Sequence, residues 1–192
     1  MIYASTLSAV VSALAAEAID NTSKQAWQKL YQPGYADGGD LATLVRSASS
    51  DSIGRDMADC WVHARLHSQL KPRHWNALLA KYSTHKARKV QAIGMLCPII
   101  ASHAPRIFVN KAVTAWAIPQ MKGAAGKRST DMIVLADQFY DMNAWDNQGL
   151  NRTTYWRWRK GIEANLEGLV TEALRECEAI LEAEGVLLSI AA

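Results

Sequence analysis

A chain of 192 residues that is 49% apolar and 20% charged can build one good core or two small ones, and that balance excludes an intrinsically disordered protein. Its formal net charge of +3 hides a segregation: residues 1–61 carry −3, residues 62–130 carry +12 and residues 131–192 carry −6. The middle segment holds twelve Lys or Arg, all five histidines and no carboxylate, so it offers no Asp or Glu for acid-base work and repels itself unless a polyanion, or the acids of the flanking segments, lies against it.

The cysteines, Cys60, Cys97 and Cys177, are odd in number, far apart and form no C-x-x-C pair, which fits a reduced, cytoplasmic setting. The stretch through Ala18 is rich in alanine and valine, but no Lys or Arg precedes Lys24, and Ser8, Ser12 and Glu17 interrupt it. It reads as neither a signal peptide nor a membrane span. Nucleophile-base pair, G-x-G-x-x-G, Walker loop and H-E-x-x-H are all missing, so the expectation is a non-enzyme that needs no cofactor.

Apolar periodicity predicts an all-α chain. The first helix runs from about Thr6 to Asp20 with Leu7, Val10, Val11, Leu14 and Ala18 facing the core. Ser23 caps a short second helix carrying Trp27, Leu30 and Tyr31, which stops at Gln32-Pro33-Gly34. Asp37-Gly38-Gly39 is turn chemistry, because the ligand spacing and terminal glutamate of a calcium loop are missing. Asp40 caps a short helix through Val45, and Ser50 or Asp51 a longer one to about Leu70. That longer helix places Cys60, His63 and His67 on one face, an allowed geometry for metal ligands with His74 as a fourth. Met57, Trp61 and Ala64 beside them make a buried structural face the favoured reading, and no metal is expected.

Pro72 opens the next helix, where its missing N–H costs nothing, and Trp75, Leu78, Leu79 and Tyr82 form its apolar face. Ser83 or Thr84 caps the following helix, with Lys86, Arg88 and Lys89 in its first turns and Val90, Ile93, Leu96 and Ile100 as its stripe. Cations at a helix start oppose the macrodipole, a cost that an external phosphate would relieve. Pro98 kinks or ends it. Residues 107–118 are ambiguous: their β-branched residues allow a strand, but Val109, Val113, Trp116 and Ala117 fit a helix. Pro119 to Ser129, with Lys127 and Arg128 at its basic end, reads as an exposed linker.

Leu135, Phe139 and Met142 then predict an amphipathic helix from about Thr130 to Asp146. Gly149 allows a sharp turn, and Asn151 caps a last helix that opens with NRTTYWRWRK and runs to about Glu184. Tyr155, Trp158 and Ile162 share its packing face, expected against Phe139 and Met142. Two helices across a short glycine turn are the layout of a helix-turn-helix. On that reading Asn151, Arg152, Thr153 and Thr154 approach the groove of double-stranded DNA, while Trp156, Arg157, Arg159 and Lys160 meet base edges or backbone. Lys86, Arg88, Lys89, Lys127 and Arg128 supply phosphate contacts. The expected organisation is a helical body over residues 1–118, basic from about 62, a linker over 119–129, and a helix-turn-helix with a long C-terminal helix over 130–192. The glutamates that close that helix are solvated, folded against the basic segment, or offered to a protein. Its stripe of Leu166, Leu169, Ala173, Cys177 and Ile180 or Leu181 could be a homodimer seam.

The order Gly149, Leu150, Asn151, then Thr154-Tyr155-Trp156-Arg157-Trp158, resembles the turn and recognition helix of many helix-turn-helix regulators, whose pattern is glycine, apolar, serine, then threonine-apolar-tyrosine-arginine-tryptophan. One residue more than the usual spacing separates Ala144 from Gly149. With LKPRHWNALLAKYS, similar to the helix before the recognition unit of sigma-like proteins, the region from Leu70 to Ile162 resembles the phage Q-type transcription antitermination factors, including the related AlpA regulator. The resemblance implies a phage-derived regulator that loads onto bacterial RNA polymerase and its sigma factor near a promoter and overrides downstream terminators. Competing readings are a helix-turn-helix repressor or activator, a phage terminase small subunit and, from another class, a protein-interaction module whose basic middle docks an acidic protein.

Overall fold

The computed structural model describes residues 3–16, 55–120 and 133–187. The helices expected after Ser23 and Asp40, the loop at Asp37, the cap at Ser50 or Asp51 and most of the 119–129 linker lie outside the described residues.

Within them every regular element is helical: α1 (Thr6–Ala16), α2 (Arg55–Gln69), α3 (Pro72–Tyr82), α4 (Lys86–Leu96), α5 (Arg106–Ala117) and α6 (Arg152–Ala183), with two 3-10 turns, Asp137–Tyr140 and Met142–Ala144. The all-α expectation holds, and an isolated bridge between Tyr3 and Leu187 is the one β-type pairing among these residues. Residues 107–118 resolve as helix, with Phe108, Val109, Ala112, Val113 and Trp116 buried. α3 starts on Pro72 as expected. α4 is capped by His85 rather than Ser83 or Thr84: the imidazole Nδ1 accepts from Arg88 N at 3.4 Å, while Ser83 Oγ accepts from His85 N. It stops at Leu96, just short of Pro98, whose ring cannot continue the ladder.

The chain divides into two compact units, one of Met1–Leu70 with Ala173–Ala192 and one of Lys71–Glu172. The expected 119–129 linker therefore falls inside the span of the second unit, and α6 supplies residues to both. In the first unit α1 packs on α2, burying Ala9, Val10, Ala13, Leu14 and Ala16. Leu7 and Val11, expected in the core, stay exposed, so the buried face is turned from the predicted one toward the small alanines that let α2 approach. The buried Asp59 ties the unit together by accepting the Tyr3 hydroxyl at 2.5 Å and the Ser12 hydroxyl at 2.8 Å. Ala173, Cys177 and Leu181 are buried on α6, so these positions of the presumed dimer seam are filled within the chain. Burial pushes the Cys177 thiol up to about 12. Gly185, at φ 66°, ends the helix with Val186 N donating to Leu181 O at 3.1 Å, a left-handed cap that satisfies the last carbonyls.

In the second unit α3, α4 and α5 pack together, and Tyr155, Ile162, Leu166 and Val170 are the buried stripe of α6. The helix expected from Thr130 to Asp146 is not formed over its described part. Residues 133–136 are irregular and the two 3-10 turns follow. The Asp141 carboxylate accepts from Asn143 N at 3.1 Å, a local bond that competes with α-helix. Trp145, 1% exposed, donates its Nε1–H to Phe139 O at 2.6 Å, and the Tyr140 hydroxyl donates to Ile118 O at 2.8 Å. These side-chain ties hold the segment down without helical periodicity. A helix-turn-helix is consequently not what precedes Arg152.

Candidate nucleic-acid interface

The turn that launches α6 is fixed from both sides. Gly149 takes φ 61°, a left-handed conformation open to glycine, and Asn151 Oδ1 accepts from Thr153 N at 3.1 Å, the expected cap. The Tyr155 hydroxyl accepts from Leu150 N at 2.9 Å and donates to Asp146 Oδ1 at 2.5 Å. Tyr155 and Trp158 pack, but their ring partner is Phe108 of α5, with centroids at 5.6 and 5.5 Å, rather than the expected Phe139 and Met142. Trp145 meets the same Phe108 edge-on at 5.1 Å. The sequence reading missed Phe108, Trp145 and Asp146 as supports. The run Asp146-Asn147-Gln148-Gly149 is a turn signal that could have found the last.

Opposite this packed face, Asn151, Arg152, Thr153, Trp156, Arg157 and Lys160 are exposed, with Thr154 half-buried. Arg152, Trp156 and Lys160 follow one another at spacings of four, and Thr153 and Arg157 form the next row. Arg159 is turned aside: its Nε donates to Glu163 Oε1 at 2.7 Å, and its guanidinium lies 5.6 Å from the Trp145 ring centre. Lys160 Nζ reaches Glu163 Oε2 at 3.0 Å. Burial by itself would raise the Glu163 carboxyl, but hydrogen bonds and charge from Arg159 and Lys160 hold it below the usual glutamate value. Among the described residues Arg152 and Arg157 have no carboxylate partner.

The basic middle segment is far less available than its composition suggests. Lys81 pairs with Glu167 at 2.6 Å and sits 4.6 Å from the Trp116 ring centre, while Trp116 Nε1 donates to the same carboxylate oxygen at 2.7 Å. Glu172 lies 3.7 Å from Arg73 and 3.3 Å from the buried His74. Arg65 is paired with Glu184, and Lys111 Nζ donates to Ala144 O at 3.0 Å. Of the three fates open to the glutamates of α6, folding against the basic segment is the one these take.

Lys89, expected among the phosphate contacts, turns toward the end of α3. Its Nζ donates to Lys81 O and Ser83 O, both at 3.3 Å, closing the C-terminal end of α3. Burial first, and the Lys81 charge second, push its pKa down. Lys86 and Arg88 are exposed on α4, and Lys127 and Arg128 lie outside the described residues. On α2, Cys60 and His63 are buried and His67 is exposed, the two imidazoles stacked at 6.3 Å; His74 is in the second unit, against Glu172. Among the described residues no group of three or more His, Cys, Asp or Glu is placed to hold a metal ion, and no helix there is long and apolar enough to cross a membrane.

Compared with models of protein families, with curated proteins and with solved structures, the chain finds no match.

Proposed function

We propose that this chain is a DNA-binding regulator whose contact surface is the exposed N-terminal face of α6. The observation that carries the reading is the pair Arg152 and Arg157, exposed beside Trp156 and Lys160 on a helix anchored by its opposite face and left without carboxylate partners among the described residues. The three exposed cations Arg152, Arg157 and Lys160 attract phosphates, and an arginine fork can add a bidentate contact to guanine for sequence preference. With 3-10 turns in place of a first helix, the docking is that of a single helix set on an aromatic base.

The test is the affinity for labelled duplex DNA across a range of salt. A steep salt slope is expected, and the double variant R152A/R157A should weaken binding and flatten the slope by roughly two units. A double variant that binds like the wild type removes α6 as the contact surface. Loading onto RNA polymerase and antitermination are proposed on the resemblance over Leu70 to Ile162 alone, and a pull-down of core polymerase with and without promoter DNA tests that step.

A further inference from the structure

We infer that the α6 face takes DNA whose bases are unpaired, with Trp156 stacking on one base while Arg152, Arg157 and Lys160 hold the adjoining phosphates. The inference rests on the reading that this face binds DNA, and it names the form of DNA.

Trp156 is 52% exposed, whereas Trp75, Trp116 and Trp145 are 8%, 8% and 1% exposed. Its neighbours on the helix surface are Arg152 and Thr153 one turn before, Lys160 one turn after and Arg157 alongside. An apolar docking patch for a protein would surround an indole with further apolar side chains; here each of these neighbours is cationic or polar, so charge complementarity selects a polyanion with a flat apolar component. Nucleic acid is that ligand.

A closed duplex hides the faces of its bases in the stack and presents only their edges, which are read by paired donors and acceptors. Indole has a single N–H donor and no acceptor, so it reads edges poorly. Its large face is met only by a base that has left the stack, and such stacking tolerates any base. Arg152 and Lys160 stand about 12 Å apart along the helix, and their long side chains can reach the backbone on both sides of a nucleotide stacked between them.

The full-length chain is titrated against three labelled DNAs of one sequence and length: a closed duplex, a duplex with a central unpaired bubble, and a single strand. The bubble and the single strand should bind about tenfold tighter than the closed duplex. W156A and W156L should lose that preference, and W156F should retain most of it. Melting curves like that of the wild type are expected for all three variants, because half of the indole is already in water. Equal affinity for the three DNAs, or a W156A variant weakened on all alike, overturns the stacking role alone. An RNA strand bound tighter than the DNA strand overturns the assignment to DNA. No binding to any of them, or R152A/R157A binding like the wild type, overturns the underlying reading and this inference with it.

Discussion

The Tyr155 hydroxyl donates to Asp146 Oδ1 at 2.5 Å across the turn that launches α6, and both side chains are buried. The same oxygen of Asp146 accepts from Gln148 N at 3.2 Å, so one carboxylate links the turn to the first full turn of the helix. Asp146 Oδ2 is buried without a hydrogen-bond partner among the described residues, which makes the Tyr155 bond the main compensation for placing this group out of water.

Tyr155→Phe keeps the ring against Phe108 and removes that compensation together with the acceptor for Leu150 N. The variant should melt several degrees lower with its helix content unchanged. The hydrogen bond to Asp146, and then burial, raise the Tyr155 pKa above 10.0. An unfolded tyrosine loses its proton near 10.0 while the folded one keeps it, so the stabilisation is complete below that pH and is lost as pH rises through the folded value. The alkaline fall in melting temperature should be shallower in Tyr155→Phe than in the wild type. A residual fall is expected from Tyr82 and Tyr140, whose pKa values are also raised.

Glu167 gives the acid-side counterpart. Burial would raise its pKa, but the hydrogen bonds from Lys81 and Trp116 and the Lys81 charge outweigh it and hold the carboxyl below 4.5. Its contribution is present above 4.5 and disappears as pH falls through the folded value. Because the carboxylate is half-exposed, the pair contributes no more than about 1 kcal/mol. Glu167→Gln should cost little at neutral pH and flatten the acid limb of the melting curve; an identical acid limb would show that the pair does not titrate with folding.

Phe108 is fully buried among Trp145, Tyr155 and Trp158, whereas Trp158 is only half-buried. Phe108→Ala should cost about 3–5 kcal/mol in denaturant unfolding, and Trp158→Ala clearly less. The reverse order would mean that Trp158 carries more of this cluster than Phe108.

The elements legible in the sequence are those whose signals agree. α3 has its proline at the start and an unbroken apolar stripe, and α6 has Asn151 at its cap and Tyr155, Ile162 and Leu166 in register. The outward set Arg152, Trp156 and Arg157 followed directly from their position opposite that stripe. The absence of the expected helix over residues 133–146 has a local cause. Phe139 and Met142 match helical spacing, but Asp141, Asp146 and the Trp145 and Tyr140 polar tips bind backbone groups, and such bonds leave no trace in a hydrophobic period. The inward turn of Lys89 was hidden for a different reason: it depends on the end of α3 lying within reach, a tertiary fact that charge counting cannot see.

Lys89→Ala therefore separates a structural lysine from a phosphate ligand. Leaving Lys81 O and Ser83 O without this donor should cost about 1 kcal/mol of stability, and DNA affinity should stay that of the wild type at every salt concentration. A loss of affinity comparable to that of Arg152→Ala would return Lys89 to the contact set.

Glu163 holds Arg159 and Lys160 at 2.7 and 3.0 Å and thereby competes with phosphate for two cations at the edge of the proposed DNA surface. Glu163→Gln removes the competing charge while keeping the side chain's size. Lys160, already exposed, then meets phosphate without a competing carboxylate, so affinity should rise several-fold. Acidification should act the same way on the wild type, because protonation of Glu163 below its depressed pKa releases both cations; the variant should not share that response. A Glu163→Gln protein with unchanged affinity, or one that still gains affinity on acidification as the wild type does, would show that Lys160 and Arg159 are committed to the fold and that the DNA surface ends at Arg157.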